Sequence, residues 1–211
     1  TLMIFMLNLL KKSNHLDADI IQLVKAMELT SMARHEVCTN PNNEMEINQV
    51  LDKKIFSKYF QLFSDDNFIG DASKLSGFGS TTHISIIDKW NNVVSVTTTN
   101  GEGCGHFIPE FGIMMNNMLG EQDLNPYGFH KWETKRRLPT MICPTIILKN
   151  NKPLYILGSG GSNRIRSAIT QVLLNLIIKR MPLEQAINAP RIHLEGNELY
   201  FEPKIKIPNQ R

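Results

Sequence analysis

The 211-residue sequence has few cysteines, no long apolar run and no strong excess of charge of either sign. The three cysteines, Cys38, Cys104 and Cys143, lie far apart and lack the paired spacing of a zinc site, which excludes a disulfide-stapled or zinc-finger protein. Lys and Arg number 23 against 20 Asp and Glu, and this balance is too even to predict a nucleic-acid-binding surface. The most apolar stretch, residues 2–10, is too short to span a bilayer and its lysines follow it, so neither a membrane anchor nor a signal peptide is predicted.

What is present is the composition of a folded protein with a sizeable core. Hydrophobic residues make up 42% of the chain and charged residues 20%, with 13 glycines and 10 prolines. The first residue, Thr1, opens directly onto an apolar helical pattern without a cap, and residues 208–211 form a polar tail. We therefore expect both ends to be cut ends of a longer chain.

The first third of the chain has helical periodicity. Apolar residues recur at spacings of three and four within residues 20–27 and again within residues 51–63. Asp17 or Asp19 can cap the first of these helices. Residues 39–43 predict a loop, and the polar, glycine-containing residues 65–80 predict an exposed linker.

From residue 81 the periodicity changes from helical to a period of two. Residues 82–88 and 93–99 predict a β-hairpin with a turn at 90–92. Further strands are predicted at 112–117, 142–148 and 154–157, a helix at 182–189, and a terminal hairpin around 195–197. A long helix after residue 162 has an apolar stripe of Ile165, Ile169, Val172, Leu173, Leu176 and Ile177. This order of elements indicates an α+β fold.

Hydroxyl groups are concentrated on the first hairpin. Thr81 and Thr82 begin one strand, and residues 97–99 place three more threonines on the strand that pairs with it. Threonine is a weak nucleophile unless a base lies beside it, and the α-amine of an N-terminal threonine can be that base. A purely structural role in strand packing remains the alternative. The six histidines lack metal-ligand spacing, so no metal site or cofactor is predicted.

Ordered blocks of sequence resemble the γ-glutamyltranspeptidases, a family of N-terminal-nucleophile hydrolases. The blocks are residues 81–88, 92–100, 112–117, 137–145, 158–165 and 188–193. The resemblance implies an αββα four-layer sandwich of the N-terminal-nucleophile hydrolase type, present in part. It also implies that residues 1–80 are the helical C-terminal part of a large subunit with its linker, and that residues 81–211 are a small subunit truncated at its C-terminus.

The resemblance further implies the catalytic residues. Thr81 matches the nucleophile, and the Ser80–Thr81 peptide matches the bond that is cut during autocatalytic maturation. Thr99 matches a second threonine that orients the nucleophile. Gly160 and Gly161 match the pair whose backbone N–H groups form the oxyanion hole.

Substrate-binding residues and partners follow from the same resemblance. Asn100 and Thr140 match residues that bind the substrate, and either Glu121 or Asp123 would hold its amine. The implied substrate is glutathione or a related γ-glutamyl amide. The implied partner is the remainder of the large subunit, with neither nucleic acid nor membrane.

Two alternatives stay open at this point. Met141 stands where many family members have a serine, Met118 replaces a polar residue, and the arginine that grips the substrate carboxylate is not within the sequence. The chain could therefore be a non-catalytic or incomplete homologue that serves as a binding or structural domain. A related amidase, such as a β-lactam acylase, would share the nucleophile and differ in the acyl pocket.

Overall fold

The computed structural model describes residues 1–15, 17, 19–38, 47–65, 81–121, 124–125, 128–135, 138 and 140–205. The chain divides into one unit of Thr1–Leu75 with Thr170–Arg211 and a second unit of Ser76–Ile169. The predicted loop at 39–43 and all but the first residue of the predicted linker lie outside the described residues. The subunit boundary between residues 80 and 81 stays a prediction.

Helices and strands follow one another along the described residues in an order that matches the α+β prediction. None of these helices is both long and apolar enough to cross a lipid bilayer. In chain order the elements are α1 (Leu2–Lys12), α2 (Ile20–Cys38), α3 (Lys53–Ser64), β1 (Thr81–Ile87), β2 (Val93–Thr99), β3 (Phe107–Ile108), β4 (Ile113–Met114), β5 (Thr145–Lys149), β6 (Lys152–Leu157), α4 (Ile165–Leu173), α5 (Leu183–Asn188), β7 (Ile192–Glu195) and β8 (Glu198–Phe201).

The first unit is built on the three N-terminal helices. The backbone N–H of Gln22 donates to the Asp19 carboxylate at 2.9 Å, and the Asp19 N–H donates back to the Gln22 side chain at 3.2 Å. This reciprocal cap confirms Asp19 as the residue that starts α2. The core of the unit is a cluster of buried side chains that includes Phe5, Leu9, Leu10, Leu29, Val50, Leu174 and Ile192.

The long helix predicted after residue 162 changes its geometry part-way. α4 continues into a π-helical turn at Leu174–Ile178. A π-helical turn holds more residues than an α-helical one, so it rotates the following side chains relative to a 3.6-residue pattern. The prediction that Ile177 belongs to the apolar stripe is therefore wrong, because Ile177 is 46% exposed while Asn175 is 8% exposed.

The second unit contains the first hairpin and a second one, which is formed by the strands predicted at 142–148 and 154–157. β1 pairs antiparallel with β2 in an unbroken register from Thr81 opposite Thr99 to Ile87 opposite Val93. β5 pairs antiparallel with β6 through Asn150 and Asn151, whose φ angles of 52° and 59° suit a two-residue hairpin turn. Both hairpins confirm the sequence prediction.

The strand predicted at 112–117 is much shorter than expected. β4 covers two residues, and the backbone that follows it bonds to residues outside the named strands. The Met115 N–H donates to the His106 carbonyl at 2.9 Å, and the Asn117 N–H donates to the Asn100 carbonyl at 2.8 Å. The second of these bonds brings the end of β4 beside the end of β2.

Candidate active site

Two threonine hydroxyls meet at the open end of the first hairpin. Thr81 and Thr99 are directly opposed in the β1–β2 register, and their Oγ1 atoms lie 3.1 Å apart. The backbone N–H of Gly101 donates to Thr99 Oγ1, also at 3.1 Å. Both threonines are half-buried, so the pair is shielded while remaining open to solvent.

The Thr81 hydroxyl has a second partner from a distant part of the chain. Its Oγ1 donates to the carbonyl oxygen of Gly161 at 2.6 Å. A carbonyl can only accept, so this bond uses the single proton of the Thr81 hydroxyl. The Thr99 hydroxyl is then the group that can donate across the 3.1 Å gap. The arrangement orients the Thr81 oxygen from two sides.

Gly160 and Gly161 favour glycine for two different reasons, lack of room at the first and backbone conformation at the second. A Cβ built on Gly160 would lie 2.6 Å from the Thr81 carbonyl oxygen, closer than a real Cβ approaches any atom. Gly161 has a φ angle of 112°, which L-residues rarely adopt. The segment after β6 thus lies directly against the nucleophile candidate. The predicted role of the two N–H groups as an oxyanion hole stays a prediction.

A carboxylate lies beside the residues that follow β2. A Cβ built on Gly101 would come within 3.0 Å of the Glu121 carboxylate oxygen. Gly101 directly follows Asn100, whose carbonyl accepts from Asn117 at 2.8 Å and from Gly103 at 3.1 Å. The structure therefore places Glu121 next to the loop that carries Asn100.

The remaining predicted site residues, Ser80, Asp123 and Thr140, stay predictions. Thr140 is exposed. Ser80 and Asp123 lie outside the described residues. Met141 is buried. Within the described ranges, no group of three or more His, Cys, Asp or Glu residues could hold a metal ion.

Sequence reasoning missed a polar row that continues along the same face of the hairpin. His83 Nδ1 lies 2.8 Å from the Thr97 hydroxyl, and its Nε2 lies 2.9 Å from the Ser85 hydroxyl. The signal that could have revealed this row is the alternation in β1, where Thr81, His83 and Ser85 occupy every second position. The alternate positions hold Thr82, Ile84 and Ile86, which are exposed.

Comparisons with known proteins identify the family of this chain. A family profile described as γ-glutamyltranspeptidase matches residues 1–210. The chain belongs to the γ-glutamyltranspeptidase family. A glutathione hydrolase proenzyme of Bacillus subtilis is 36% identical over 124 residues, which are 58% of this chain and 21% of that protein. The capsule biosynthesis protein CapD proenzyme of Bacillus anthracis is 31% identical over 196 residues, which are 91% of this chain and 36% of the relative.

The solved structure of an acivicin-inhibited γ-glutamyltranspeptidase resembles this chain with a TM-score of 0.51 and 34% identity. The match covers 57% of this chain and 71% of the other. Together with the observed helices and sheets, it confirms the predicted α+β fold of the N-terminal-nucleophile hydrolases, present in part. The chain spans about a fifth to a third of the length of these two curated relatives, 21% and 36%.

Proposed function

We propose that this chain carries the nucleophile of an autoprocessed enzyme that transfers or hydrolyses the γ-glutamyl group of glutathione and related amides. The observation that carries this proposal is the Thr81 hydroxyl, held between the Thr99 hydroxyl at 3.1 Å and the Gly161 carbonyl at 2.6 Å. A threonine oriented in this way at the start of a strand suits a nucleophile that becomes the first residue of a new chain.

Maturation begins with the Thr81 oxygen attacking the carbonyl carbon of Ser80. The bond between that carbon and the Thr81 nitrogen breaks, the nitrogen takes up the hydroxyl proton, and an ester joins Ser80 to the Thr81 oxygen. Water then hydrolyses the ester, which leaves a carboxylate on Ser80 and regenerates the Thr81 hydroxyl. The freed α-amine of Thr81 has an ordinary pKa of about 8, so a sizeable fraction can accept a proton near neutral pH.

Turnover uses the same oxygen on a different carbonyl. The Thr81 hydroxyl attacks the γ-glutamyl carbonyl carbon while the α-amine takes its proton. The N–H groups of Gly160 and Gly161 stabilise the negative charge that develops on the carbonyl oxygen. The leaving amine departs with the proton from the α-amine. Water or the amine of an amino acid then attacks the acyl ester and restores the enzyme.

The carboxylate beside the loop that follows β2 suits the amine end of a glutamyl substrate. The Glu121 carboxylate, next to Gly101, can hold the α-amine of the substrate, and Asn100 lies in the same loop. By family resemblance alone, we assign Thr140 to the carboxylate end of the substrate and keep Asp123 as the alternative to Glu121 at the amine end. The remainder of a large subunit, divided from the small one at 80/81, would supply the other contacts.

Mass spectrometry of the purified 211-residue chain tests this proposal. We expect two fragments that meet at residues 80 and 81, followed by turnover of γ-glutamyl-p-nitroanilide. Thr81→Ala should stay intact, and Thr82→Ala, which changes the exposed neighbour on the opposite face of β1, should be cleaved as the original chain is.

Two other results would point to the alternatives. Binding of glutamate without any cleavage would favour an incomplete, non-catalytic homologue, for which the buried Met141 is the supporting observation. Cleavage without turnover of the γ-glutamyl substrate, but with release of a β-lactam side chain, would favour an acylase.

A further inference from the structure

We propose that His83 is a positioning residue that holds the segment of residues 158–161 at its working distance from Thr81. The inference rests on the proposed function, because that segment carries the proposed oxyanion groups. The imidazole lies on the same face of β1 as the nucleophile candidate, two residues further along the strand. It connects the nucleophile-bearing hairpin with the glycine-rich segment that follows β6.

Both ring nitrogens of His83 have a hydroxyl partner. Nδ1 lies 2.8 Å from the buried Thr97 hydroxyl on β2, and Nε2 lies 2.9 Å from the Ser85 hydroxyl on β1. Each hydroxyl can either donate or accept, so both contacts can form in either tautomer of the ring. Two hydrogen bonds at opposite edges fix the orientation of the imidazole plane.

The ring occupies the space that a side chain at residue 158 would need. A Cβ built on Gly158 would lie 2.2 Å from His83 Nδ1, 2.3 Å from Cε1 and 2.6 Å from Cγ. The φ angle of Gly158 is not among the positive ones, so glycine is required here for room and not for backbone conformation. The backbone of Gly158 therefore rests directly on the imidazole.

The same segment meets β1 at a second place. Gly160 lies against the carbonyl oxygen of Thr81, and Gly161 accepts the Thr81 hydroxyl. Just before the segment, the Leu157 carbonyl accepts from the Ser95 hydroxyl at 3.3 Å. Residues 158–161 are thus supported by the His83 ring at one end and by Thr81 at the other. Removing the ring removes the support at one end and lets the segment shift relative to the nucleophile.

Paired substitutions test this role on the full 211-residue chain. We expect His83→Ala to slow cleavage of the Ser80–Thr81 bond by about tenfold or more, because misplacing reacting groups by about an ångström has effects of this size. Gly158→Ala should slow it comparably while the ring is present. In the His83→Ala background, adding Gly158→Ala should slow cleavage further by less than about threefold, since its methyl group then has room.

Two further variants separate positioning from a general loss of structure. His83→Asn, which keeps a polar atom at the place of Nδ1, should recover part of the cleavage rate lost in His83→Ala. Thr82→Ala should match the original chain in cleavage and melting temperature. If His83→Ala fails to fold, His83→Asn and His83→Phe, which retain the hydrogen bond and the ring respectively, provide the comparison.

A second readout does not depend on cleavage. In a Thr81→Ala background, the peptide spanning residues 158–162 should exchange its amide hydrogens faster once His83 is replaced by alanine, and Thr82→Ala should leave that exchange unchanged. No cleavage of the original chain together with faster exchange would refute the proposed function and support the contact. The positioning role would be overturned if Gly158→Ala slowed cleavage equally with and without the His83 ring, or if His83→Ala left the amide exchange of residues 158–162 unchanged.

Discussion

A threonine hydroxyl has one proton to donate and can also accept, and the Thr81 hydroxyl has a partner for each capacity. The Gly161 carbonyl takes the proton, and the Thr99 hydroxyl faces the Thr81 oxygen. Thr99 in turn accepts from the Gly101 N–H. The chain of contacts therefore runs from a backbone donor through two hydroxyls to a backbone acceptor, and Thr99 is the hydroxyl next to the donor.

Thr99→Val should reveal how much the Thr99 hydroxyl contributes to cleavage and to stability. Valine keeps the shape of the side chain but removes the donor to Thr81 and the acceptor for Gly101. We expect cleavage at residues 80–81 to slow by about tenfold or more, because the nucleophile loses its orientation, and the free energy of unfolding to fall by about 1 kcal/mol. A time course followed by mass spectrometry and a urea titration measure the two effects.

The matched control for this substitution is Thr98→Val, one residue earlier on β2. Thr98 is exposed, and its side chain points to the opposite face of the strand. Equal cleavage rates for the two valine variants would contradict the role of Thr99.

At the scale of elements, one carboxylate connects helices α2 and α3. Glu36 accepts from the Lys58 ammonium group and from the Tyr59 hydroxyl, each at 2.7 Å. These hydrogen bonds hold the pKa of Glu36 below its ordinary value, and the bond from Lys58 has the larger effect. The pKa of Tyr59 is raised, chiefly because the side chain is partly buried and further because its hydroxyl bonds to the Glu36 carboxylate.

The lowered pKa of Glu36 predicts a pH-dependent contribution to stability. The ionised form is favoured in the folded chain, so the contribution is complete above the unfolded pKa of about 4.3 and is lost as the pH falls through the lower folded value. Glu36→Gln should therefore be less stable than the original chain at neutral pH, and the difference should shrink below pH of about 4. Urea titrations at several pH values measure it. A difference that stays constant with pH would contradict the assignment.

Local patterns in the sequence were sufficient to predict most elements but few of the contacts between them. The period of two in residues 81–99 predicted the β1–β2 hairpin, while the meeting of Thr81 with Thr99 was implied by the family resemblance. By contrast, the contact of Thr81 with Gly161 joins residues 80 positions apart, and the packing of His83 on Gly158 depends on the same tertiary arrangement. A side-chain period does not encode such contacts. The π-helical turn likewise moved Ile177 out of a stripe that an ideal helix would have kept.

At the scale of the whole molecule, the proposed cleavage does not coincide with the division into units. Residues 1–75 and 170–211 belong to the same unit, although the proposed cut lies between them. Their side chains share one core, in which Leu174 and Ile192 cluster with buried residues of the first helices, such as Phe5 and Leu29. The two products would therefore be held together by apolar burial after the peptide bond is gone.

This shared core predicts that the two fragments stay associated after cleavage. We expect fragments 1–80 and 81–211 to elute together from a gel-filtration column in buffer and to separate in urea. Leu174→Asp, which buries a charge in the shared cluster, should release the fragments or weaken their association. Separate elution of the unmodified fragments without denaturant would contradict the prediction.

The two partners of the Thr81 hydroxyl also differ in how far along the chain they lie. Thr99 is 18 positions from Thr81 in the sequence, and Gly161 is 80 positions from it. Short closures form sooner during folding than long ones. We therefore expect the hydroxyl pair to assemble early and the glycine segment, which follows β5 and β6 in the chain, to arrive later. This order of folding would delay cleavage of the Ser80–Thr81 bond until the glycine segment has reached the nucleophile.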